Sequence, residues 1–332
     1  MLDVPELRRS IMTKNNFLLQ LKNICKDFPI KSGLLKRSVG KVKAVENVSL
    51  NIKQGETLGL VGESGCGKTT IARIILQLEK ATSGKIIFSN ENTFEYNKAQ
   101  IKNYKKDVQM IFQDPYSSLN PQRNIKQILH EPLLINKAKN VKEKIRSILE
   151  LVNLPPTTLN KYPHELSGGQ RQRVGIARAL TLDPKLIVCD EPVSALDVSI
   201  RSQIINLLID LQKKTKISYI FISHDLSLVE HMSDNIAIMY LGNIVEIIPS
   251  INFNKKHLHP YTKALISSIP QIKPGENKKR ILLEGDVPSP INPPSGCKFR
   301  TRCPEAHDIC AQKEPALIEN EKKHFVACHL ID

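Results

Sequence analysis

A glycine-rich segment near residue 65 has the spacing of a phosphate-binding loop. It follows the apolar residues Leu58, Leu60 and Val61 and fits the pattern G-x-x-x-x-G-K-[ST]. Glycines accept the backbone angles that turn successive N–H groups towards one centre, the lysine adds a positive charge, and the threonine hydroxyl can ligate Mg²⁺. The positive end of the helix that follows favours the same anion. The residues predicted to bind a nucleoside triphosphate are Gly62, Glu63, Ser64, Gly65, Cys66, Gly67, Lys68, Thr69 and Thr70.

Four polar side chains follow predicted strands, where the ligands of α/β proteins bind. Asp190 and Glu191 end the apolar run 186–189, and Gln113 and His224 each follow another apolar stretch. Asp190 can hold Mg²⁺ through its water shell, Glu191 can polarise an attacking water, and Gln113 could reach the metal. His224 could contact a γ-phosphate. Taken singly, the acidic pair also fits a solvated turn and His224 a structural histidine, but the phosphate loop upstream favours the catalytic interpretation.

The elements that must position these side chains alternate between strand and helix. Residues 185–189 and 217–222 are apolar runs typical of buried parallel strands, and a helical pattern at 200–214 lies between them. This order predicts an α/β fold with a right-handed crossover. The basic segment 31–43 predicts a surface loop. Further strands are predicted at 17–25, 45–52, 84–89 and 107–112, and further helices at 141–152 and 168–181.

The composition limits the class of protein without deciding its function. The chain has 332 residues, of which 41% are hydrophobic, and a formal charge of +15. Its basic residues are scattered in clusters at 31–43, 98–106, 137–146 and 273–280 and form no basic stripe interleaved with aromatic residues, so nucleic acid, an anionic membrane surface and simple solubility all remain open. No apolar run reaches the roughly 18–20 residues of a membrane span, and residues 1–16 do not have the apolar segment of a signal peptide. We therefore expect a cytoplasmic protein.

A second short motif identifies the family. Residues 166–170 are Leu-Ser-Gly-Gly-Gln, and they lie between the phosphate loop and the Asp-Glu strand. Residues 194–197 are Ser-Ala-Leu-Asp. With these motifs in this order, the chain resembles the ATP-binding-cassette (ABC) ATPases over about residues 17–250. The signature motif comprises Leu166, Ser167, Gly168, Gly169 and Gln170, and the D-loop comprises Ser194, Ala195, Leu196 and Asp197.

The resemblance implies a P-loop NTPase fold with three parts. These are a RecA-like subdomain, an antiparallel β subdomain and a helical signature subdomain at about 114–182. It also implies that two subunits enclose two ATP molecules between them. Ser167 and Gly169 would then act on the γ-phosphate bound by the opposing subunit, where the start of the signature helix suits an anion.

The same resemblance implies roles for the residues that act within their own chain. Every motif is intact, so we expect real hydrolysis with Glu191 as the general base. Mg²⁺ would be held by Thr69, Gln113 and Asp190. The adenine ring would stack on an aromatic side chain near the end of the first strand, for which Phe28 is the best candidate. The residues expected to act in cis are Lys68, Thr69, Gln113, Asp190, Glu191 and His224.

Two other stretches resemble one branch of the family, the dipeptide and oligopeptide permease ATPases, and most of all the second ATPase of the pair. They are QDPYSSLNP at 113–121 and the tail with His-Pro-Tyr at 259–261 and PSPINPPSGC at 288–297. The branch implies a heterodimer with a paralogous ATPase, two permease subunits and an extracytoplasmic substrate-binding protein. The chain would lie on the cytoplasmic side of the inner membrane, with 113–120 touching the permease. A nickel or other small-solute importer is the alternative, because related importers share these motifs.

The last 36 residues concentrate four cysteines, for which disulfides are unlikely in a cytoplasmic protein. Four thiolates suit tetrahedral zinc or an iron–sulfur cluster, although zinc sites usually contain a closely spaced cysteine pair that this tail does not have. The permease branch implies a [4Fe–4S] cluster as a structural element, and a metal-free reduced tail is the third option. His324 and His329 are nearby alternative ligands. The predicted ligands are Cys297, Cys303, Cys310 and Cys328.

The resemblance divides the chain into an N-terminal extension (1–16), an ATPase domain (17–250) and a C-terminal extension (251–332). Other ABC ATPases act in DNA repair and in chromosome machines, and the positive charge is compatible with such a role. Those chains usually carry long coiled-coil insertions or a DNA-reading domain, and this sequence has neither. Translation-associated relatives usually hold two cassettes in one chain. We therefore expect transport and no nucleic-acid partner.

Overall fold

The computed structural model describes residues 17–32, 37–269 and 281–331. The strands are β1 (Phe17–Ser32), β2 (Arg37–Lys53), β3 (Thr57–Val61), β4 (Ser83–Phe88), β5 (Glu91–Asn92), β6 (Val108–Ile111), β7 (Leu186–Asp190), β8 (Ser218–Ile222), β9 (Asn235–Tyr240), β10 (Asn243–Pro249), β11 (Ile318–Glu321) and β12 (His324–Val326). The helices are α1 (Lys68–Ile75), α2 (Lys98–Asp107), α3 (Pro115–Ser118), α4 (Ile125–Ile135), α5 (Val141–Leu151), α6 (Gly168–Leu180), α7 (Val198–Thr215), α8 (Leu226–Met232), α9 (Pro260–Ser267) and α10 (Asp308–Gln312). The predicted extension 1–16 and the basic cluster 273–280 lie outside the described residues.

A mixed sheet forms the centre of the fold. Within the described residues it has eight strands in the order β11-β12-β10-β9-β3-β8-β7-β6, and the five strands from β9 to β6 pair in parallel. Strand β7 is buried throughout, and its side chains alternate between two apolar cores. Leu186 and Val188 enter one core, whereas Ile187 and Cys189 enter the other. The α/β prediction is confirmed, with apolar packing on both faces of the sheet.

The parallel strands bring the predicted chemical groups to one edge of this sheet. The phosphate loop begins directly after β3, and Asp190 is the last residue of β7. Gln113 comes two residues after β6, and His224 comes two residues after β8. Because the carboxyl ends of parallel strands meet at the same edge, four segments that are distant in the chain become neighbours.

A smaller antiparallel sheet, in the order β2-β1-β4-β5, lies beside the central one. Strands β1 and β2 pair from Phe17 opposite Lys53 to Ser32 opposite Arg37. The prediction of a surface loop at 31–43 is therefore wrong for most of its length. The ladder continues through several shifts of register, and backbone hydrogen bonds hold it together where the alternation of apolar residues has ended.

The described elements between β6 and β7 are helical. Helices α5 and α6 confirm the predictions at 141–152 and 168–181 to within one residue. In α5, Ile145, Ile148 and Leu149 are buried at helical spacing in the same core as Val174 of α6. The extent of a helical subdomain at 114–182 remains a prediction, as do the other domain boundaries.

The C-terminal segment, defined as residues 281–331, joins the central sheet. Strand β12 pairs with β10 through Phe325 opposite Ile247, and β11 continues the sheet beyond it. Phe299 is fully buried, and its ring lies 5.2 Å from that of Tyr240 and 5.3 Å from that of Tyr261. The segment therefore shares the core of the ATPase fold.

Candidate nucleotide site

The phosphate loop joins β3 to α1 in a conformation that requires its glycines. Gly62 and Gly67 have φ angles of +153° and +111°, which residues with a side chain rarely adopt. A Cβ atom at Gly62 would lie 2.1 Å from the carbonyl oxygen of Met239, and one at Gly67 would lie 2.3 Å from that of Ala44. Residues larger than glycine are thus excluded at these two positions for two reasons, the positive φ angle and the close approach of a neighbouring backbone.

Lys68 is the first residue of α1, and its side chain lies along the loop that precedes it. Its ammonium group donates to the carbonyl oxygens of Gly62 at 2.7 Å and Glu63 at 2.9 Å, and the side chain is almost fully buried. Gly67, at the start of the helix, has no side chain to cap the first N–H groups. The helix end and the lysine together make a positive centre suited to phosphate.

A cavity of about 490 Å³ opens at this edge of the sheet. It brings together most of the predicted loop residues and all four predicted polar side chains from the other strands. Glu63 and Cys66 belong to the loop but do not line the cavity among the described residues. The lining residues are Val42, Ala44, Gly62, Ser64, Gly65, Gly67, Lys68, Thr69, Thr70, Gln113, Asp190, Glu191, Ile222, His224 and Pro290.

Glu191 is held by two of the other predicted catalytic residues. Gln113 Nε2 donates to Glu191 Oε2 at 2.9 Å, and His224 Nδ1 lies 3.1 Å from Glu191 Oε1. The backbone of Glu191 has a φ angle of +47°, and its N–H group donates to the carbonyl oxygen of Ile222. A left-handed conformation in a non-glycine residue is strained, and such strain concentrates at functional sites. The carboxylate is therefore fixed at the cavity by both side-chain and backbone contacts.

Asp190, a residue predicted to bind Mg²⁺, lies beside Glu191 on the cavity. Burial, and then the neighbouring charge of Glu191, raise the pKa of the Asp190 carboxyl, while Lys68, Arg73 and a hydrogen bond from Thr69 oppose that change. Two adjacent carboxylates in a partly buried place disfavour each other's charge unless a cation balances them. With the Thr69 hydroxyl and the Gln113 amide on the same cavity, the donor set consists of the oxygen ligands that Mg²⁺ prefers.

The signature motif forms the start of α6. Ser167 is the N-cap, and its hydroxyl accepts a hydrogen bond from the Gln170 N–H, while the Gln170 side chain accepts one from the Ser167 N–H. This reciprocal pair is the capping box that a Ser-x-x-Gln sequence favours. Leu166 is buried, and none of the five signature residues is among the described residues that line the cavity.

The D-loop lies between Glu191 and α7 and contacts the signature helix. The Ser194 hydroxyl donates to the carbonyl oxygen of Glu191 at 3.1 Å, so this loop is tied to the residue predicted to be the general base. Arg201 Nε donates to the carbonyl oxygen of Leu196 at 2.7 Å, and a Cβ atom at Gly168 would lie 3.4 Å from the Leu196 side chain. Asp197 precedes α7 as its N-cap residue without a side-chain capping bond.

The residue expected to stack on adenine does not line the cavity among the described residues. The ring of Phe28 in β1 lies under the ammonium group of Lys26, 4.6 Å from the ring centroid. Its partner across the β1–β2 pair is Val42, which does line the cavity. A role for Phe28 in adenine binding stays a prediction.

Sequence reasoning missed four residues on the wall of the cavity, which are Val42, Ala44, Ile222 and Pro290. Val42 and Ala44 lie within or directly after the loop predicted at 31–43, whereas the apolar run of β8 was a usable signal for Ile222. Pro290 had no such signal, because it lies in the C-terminal segment far from every nucleotide motif. A backbone hydrogen bond holds it at the site, because the Lys43 N–H donates to the Pro290 carbonyl oxygen at 3.2 Å.

The four C-terminal cysteines are free thiols close enough for their charges to interact. The Cys297 N–H donates to the Cys310 carbonyl oxygen at 2.8 Å, and burial raises the pKa of Cys303 to about 11, with Cys297 and Cys328 adding to the rise. Among the described residues, however, no three or more His, Cys, Asp or Glu side chains are arranged to hold a metal ion. The predicted iron–sulfur or zinc site therefore has no support in this geometry.

The two histidines considered as substitute ligands are bonded elsewhere. His324 Nε2 lies 2.7 Å from Glu246 Oε1 in a fully buried pair, and His329 Nε2 lies 2.9 Å from the carbonyl oxygen of Lys313. Over the ranges that the structure describes, no helix is long and apolar enough to cross a membrane.

Comparison with known protein families gives two matches in this chain. Residues 45–194 match a family model described as ABC transporter, and residues 245–310 match one described as the C-terminal region of oligopeptide/dipeptide transporters. The first match contains the phosphate loop, the signature and the Asp190–Glu191 pair. The second contains part of the C-terminal segment and α9.

Curated proteins and solved structures resemble the chain over long stretches. The oligopeptide transport ATP-binding protein AppF of Bacillus subtilis is 50% identical, with 94% of this chain and 97% of that protein covered. The oligopeptide transport ATP-binding protein OppF of Haemophilus influenzae is 49% identical, with 96% of this chain and 98% of that protein covered. A dimeric ATP-binding cassette solved with ADP and phosphate has a TM-score of 0.61 and 29% identity, covering 70% of this chain and 98% of its own. The cbiO1 subunit of a Clostridium perfringens ABC transporter also has a TM-score of 0.61, with 26% identity, 71% of this chain and 89% of its own covered.

Proposed function

We propose that this chain is the ATPase subunit of an importer that takes up dipeptides and oligopeptides. It belongs to the family of oligopeptide transport ATP-binding proteins, which is an ATP-hydrolysing branch of the ABC transporter ATPases. The observation that carries the proposal is the extent of the similarity. It continues beyond the ATPase motifs into the C-terminal region, which has its own match to oligopeptide and dipeptide transporters. A similarity confined to the nucleotide motifs would support only an ATPase of the wider family.

Hydrolysis at this site depends on a fixed carboxylate that can accept a proton. Gln113 and His224 hold opposite oxygens of Glu191, which orients that carboxylate towards the cavity. Glu191 acts as the general base for the attacking water, and Lys68 with the first turn of α1 balances the phosphate charge. Mg²⁺ held by Thr69, Asp190 and Gln113 would neutralise charge on the phosphate oxygens. His224, already in contact with Glu191, would sense the γ-phosphate.

The signature residues act on a nucleotide bound by a second ATPase subunit. Ser167 and Gly169 lie outside the lining of the chain's own cavity, and they begin a helix whose N-terminal dipole favours an anion. A second subunit facing this one would supply the complementary half of each site. We propose that this subunit is a paralogous ATPase, so that the working unit is a heterodimer.

The segment 113–120 is proposed to contact the permease subunits. The Tyr116 side chain is exposed, and its ring lies 3.7 Å from the guanidinium carbon of Arg171 in α6. Arg178, also in α6, donates to the carbonyl oxygen of Ser118. The segment is therefore attached at one end to Gln113 in the nucleotide site and along its side to the signature helix. A change in either would be transmitted to a permease bound there.

The remaining partners follow from the same proposal. Two transmembrane permease subunits would anchor the chain to the cytoplasmic face of the inner membrane as a peripheral subunit, and a substrate-binding protein on the far side would deliver the peptide. ATP binding would close the ATPase dimer and hydrolysis would reopen it, which biases the permease between two conformations. The proposal does not extend to a bound iron–sulfur cluster or zinc ion.

The test is solute uptake by cells whose only copy of this chain carries Lys68→Ala, in a strain without other peptide importers. Lys213→Ala, a change of an exposed lysine near the end of α7, is the matched control. We expect Lys68→Ala to abolish uptake of a labelled tripeptide and to leave uptake of nickel ions unchanged. Loss of nickel uptake alone would assign the chain to a metal importer, and no loss of either would contradict a role in transport.

A further inference from the structure

Glu63, the second residue of the phosphate loop, uses all of its polar groups in contacts with other residues. Its carbonyl oxygen accepts a hydrogen bond from Lys68 Nζ at 2.9 Å. Its N–H group donates to the Tyr261 hydroxyl at 3.0 Å, and its carboxylate pairs with Arg302 Nη1 at 2.8 Å. Two of these three partners come from the end of the chain, 198 and 239 residues away. A residue directly beside the phosphate-binding lysine is thus fixed by elements outside the nucleotide motifs.

Both distant partners are themselves held firmly. The Arg302 side chain is only 9% exposed, whereas that of Glu63 is 27% exposed. Tyr261 is fully buried, with its ring 4.8 Å from that of Tyr240 and 5.3 Å from that of Phe299. An ion pair on a buried, immobilised arginine loses less side-chain entropy than a surface pair and is screened less by salt. Arg302 and Tyr261 are therefore rigid points against which the loop is located.

The C-terminal segment also contacts the opposite wall of the cavity. Pro290 lines that wall and accepts a hydrogen bond from the Lys43 N–H at 3.2 Å. Lys298, with a side chain that is 8% exposed, donates to Glu46 Oε2 at 2.5 Å, and Glu46 also pairs with Lys43 at 2.7 Å. The segment thus touches both the strand that forms one wall of the nucleotide cavity and the loop that would hold the phosphates.

We propose that the C-terminal segment is a working part of the nucleotide site, in which Arg302 is a positioning residue that fixes the phosphate loop through Glu63. A phosphate loop binds by directing several N–H groups and one lysine at the same anion, so small displacements of its backbone lower the affinity. Removal of Arg302 releases the carboxylate of Glu63 and leaves its backbone held on one side by Tyr261. The loop then samples more conformations and loses part of its affinity for nucleotide.

The test uses the full chain and the variants Arg302→Gln, Glu63→Gln and their double mutant. Dissociation constants for a fluorescent ATP analogue are measured at fixed salt, together with the melting temperature of each variant. We expect each single change to raise the dissociation constant for the nucleotide by about tenfold, which is within the range of interaction energies between residues in one polar network. Because both changes break the same contact, the double mutant should bind no more weakly than the weaker single mutant.

A second readout separates positioning from general structural support. The described side-chain hydrogen bonds of Glu191 are to Gln113 and His224 and not to Arg302. Arg302→Gln should therefore raise KM for ATP with kcat within about twofold, which indicates lost ground-state binding. Arg302→Lys, which keeps the charge but not the planar fork, should restore part of the affinity. Lys256→Gln is the matched control, because Lys256 pairs with Glu321 at 3.0 Å in the same part of the chain but both side chains are about half exposed.

The proposal fails if folded Arg302→Gln binds the analogue as tightly as the unchanged chain. It also fails if the effects of Arg302→Gln and Glu63→Gln add, since Arg302 would then act independently of Glu63. If Arg302→Gln does not fold, Tyr261→Phe removes the other distant contact while keeping the ring. That variant should weaken binding by several-fold without a matching fall in melting temperature, and unchanged binding would overturn the proposal.

Discussion

The edge of the sheet that carries the phosphate loop and the C-terminal segment are built by different rules. At the sheet edge, each chemical group lies within a few residues of a strand end, and local backbone geometry decides where it points. In the C-terminal segment, the important contacts join residues that are far apart in the chain, as in the pair of Lys298 and Glu46, separated by 252 residues. The chemical groups at the sheet edge are positioned by short motifs, whereas the contacts of the C-terminal segment are formed only in the folded chain.

The sheet edge also differs in how it accommodates carboxylates from β10, the strand with which β12 of the C-terminal segment pairs. Asp190 and Glu191 stand next to each other at an open cavity, where a cation and a water can reach them. Glu246 in β10 is fully buried and is satisfied entirely by protein groups. It accepts hydrogen bonds from the N–H groups of Leu258 and His259 and pairs with His324 of β12. A carboxylate is thus open to ligands at the sheet edge and enclosed by protein groups in β10.

The largest effect is expected from Glu246→Ala, on the free energy of unfolding. Removing one partner of a buried, fully bonded pair leaves the other donors unpaired, so the free energy of unfolding should fall by about 3–5 kcal/mol. Glu321→Ala, which removes an exposed partner of Lys256, should change it by less than about 0.5 kcal/mol. Denaturant titration of both variants measures the difference. Equal losses would mean that the burial of Glu246 has no structural importance.

The next largest effect is expected from Glu191→Gln, on chemistry rather than stability. The amide keeps the shape of the side chain but cannot accept the proton, so ATP turnover should fall by roughly 10²-fold or more while ATP binding is retained. Glu150→Gln, on the exposed face of α5, should leave turnover unchanged. Steady-state ATPase assays and nucleotide titration provide both quantities. A variant with near-normal turnover would remove Glu191 from the role of general base.

A smaller effect concerns pH and arises from His259, whose N–H group donates to the buried Glu246. Burial lowers the pKa of His259 to about 4, with Glu246 opposing the shift and Lys263 adding to it. The fold holds the neutral imidazole, whose Nδ1 accepts a hydrogen bond from the Tyr261 N–H. The stability that this neutral form contributes is complete above the unfolded pKa of 6.5 and is lost as the pH falls towards 4.

We therefore expect His259 to account for a loss of about 2 kcal/mol in the free energy of unfolding between pH 7 and pH 5. His259→Asn keeps a side-chain acceptor at the N-cap of α9 but does not titrate, so its stability should vary less over this range by about that amount. Unfolding by denaturant at the two pH values measures the difference. An identical pH dependence in the variant would show that the imidazole is not held neutral by the fold.

The sequence predicted the parallel strands and the residues that meet at their carboxyl ends, because buried parallel strands are short, continuous apolar runs. It also predicted α5, α6 and α7 to within two residues, since their apolar positions recur at helical spacing. It misplaced the β1–β2 pair, where the described residues of the predicted loop at 31–43 belong to the ladder. Backbone hydrogen bonds hold that ladder together, and they have no signature in residue type.

The cysteine-rich tail shows a different limit of sequence reasoning. Four thiols in a short tail satisfied the compositional rule for a metal site, and the resemblance to permease ATPases implied a cluster. Their side chains do come near one another, but the described residues form no group arranged to hold a metal. Ligand number is visible in a sequence, whereas ligand geometry depends on how the segment packs against β10, α9 and the aromatic core.

What the sequence determined by itself is a set of local motifs: the glycines, Lys68, the carboxylates at the end of β7 and the Ser-Gly-Gly start of the signature helix. Each depends on dihedral angles and hydrogen bonds within a few residues, so local sequence is sufficient. Only the tertiary structure decided that Arg302 and Tyr261 hold Glu63 and that Pro290 forms part of the cavity wall. Those contacts join residues about two hundred positions or more apart. The order of residues along the chain does not indicate which of the many possible distant pairs will form.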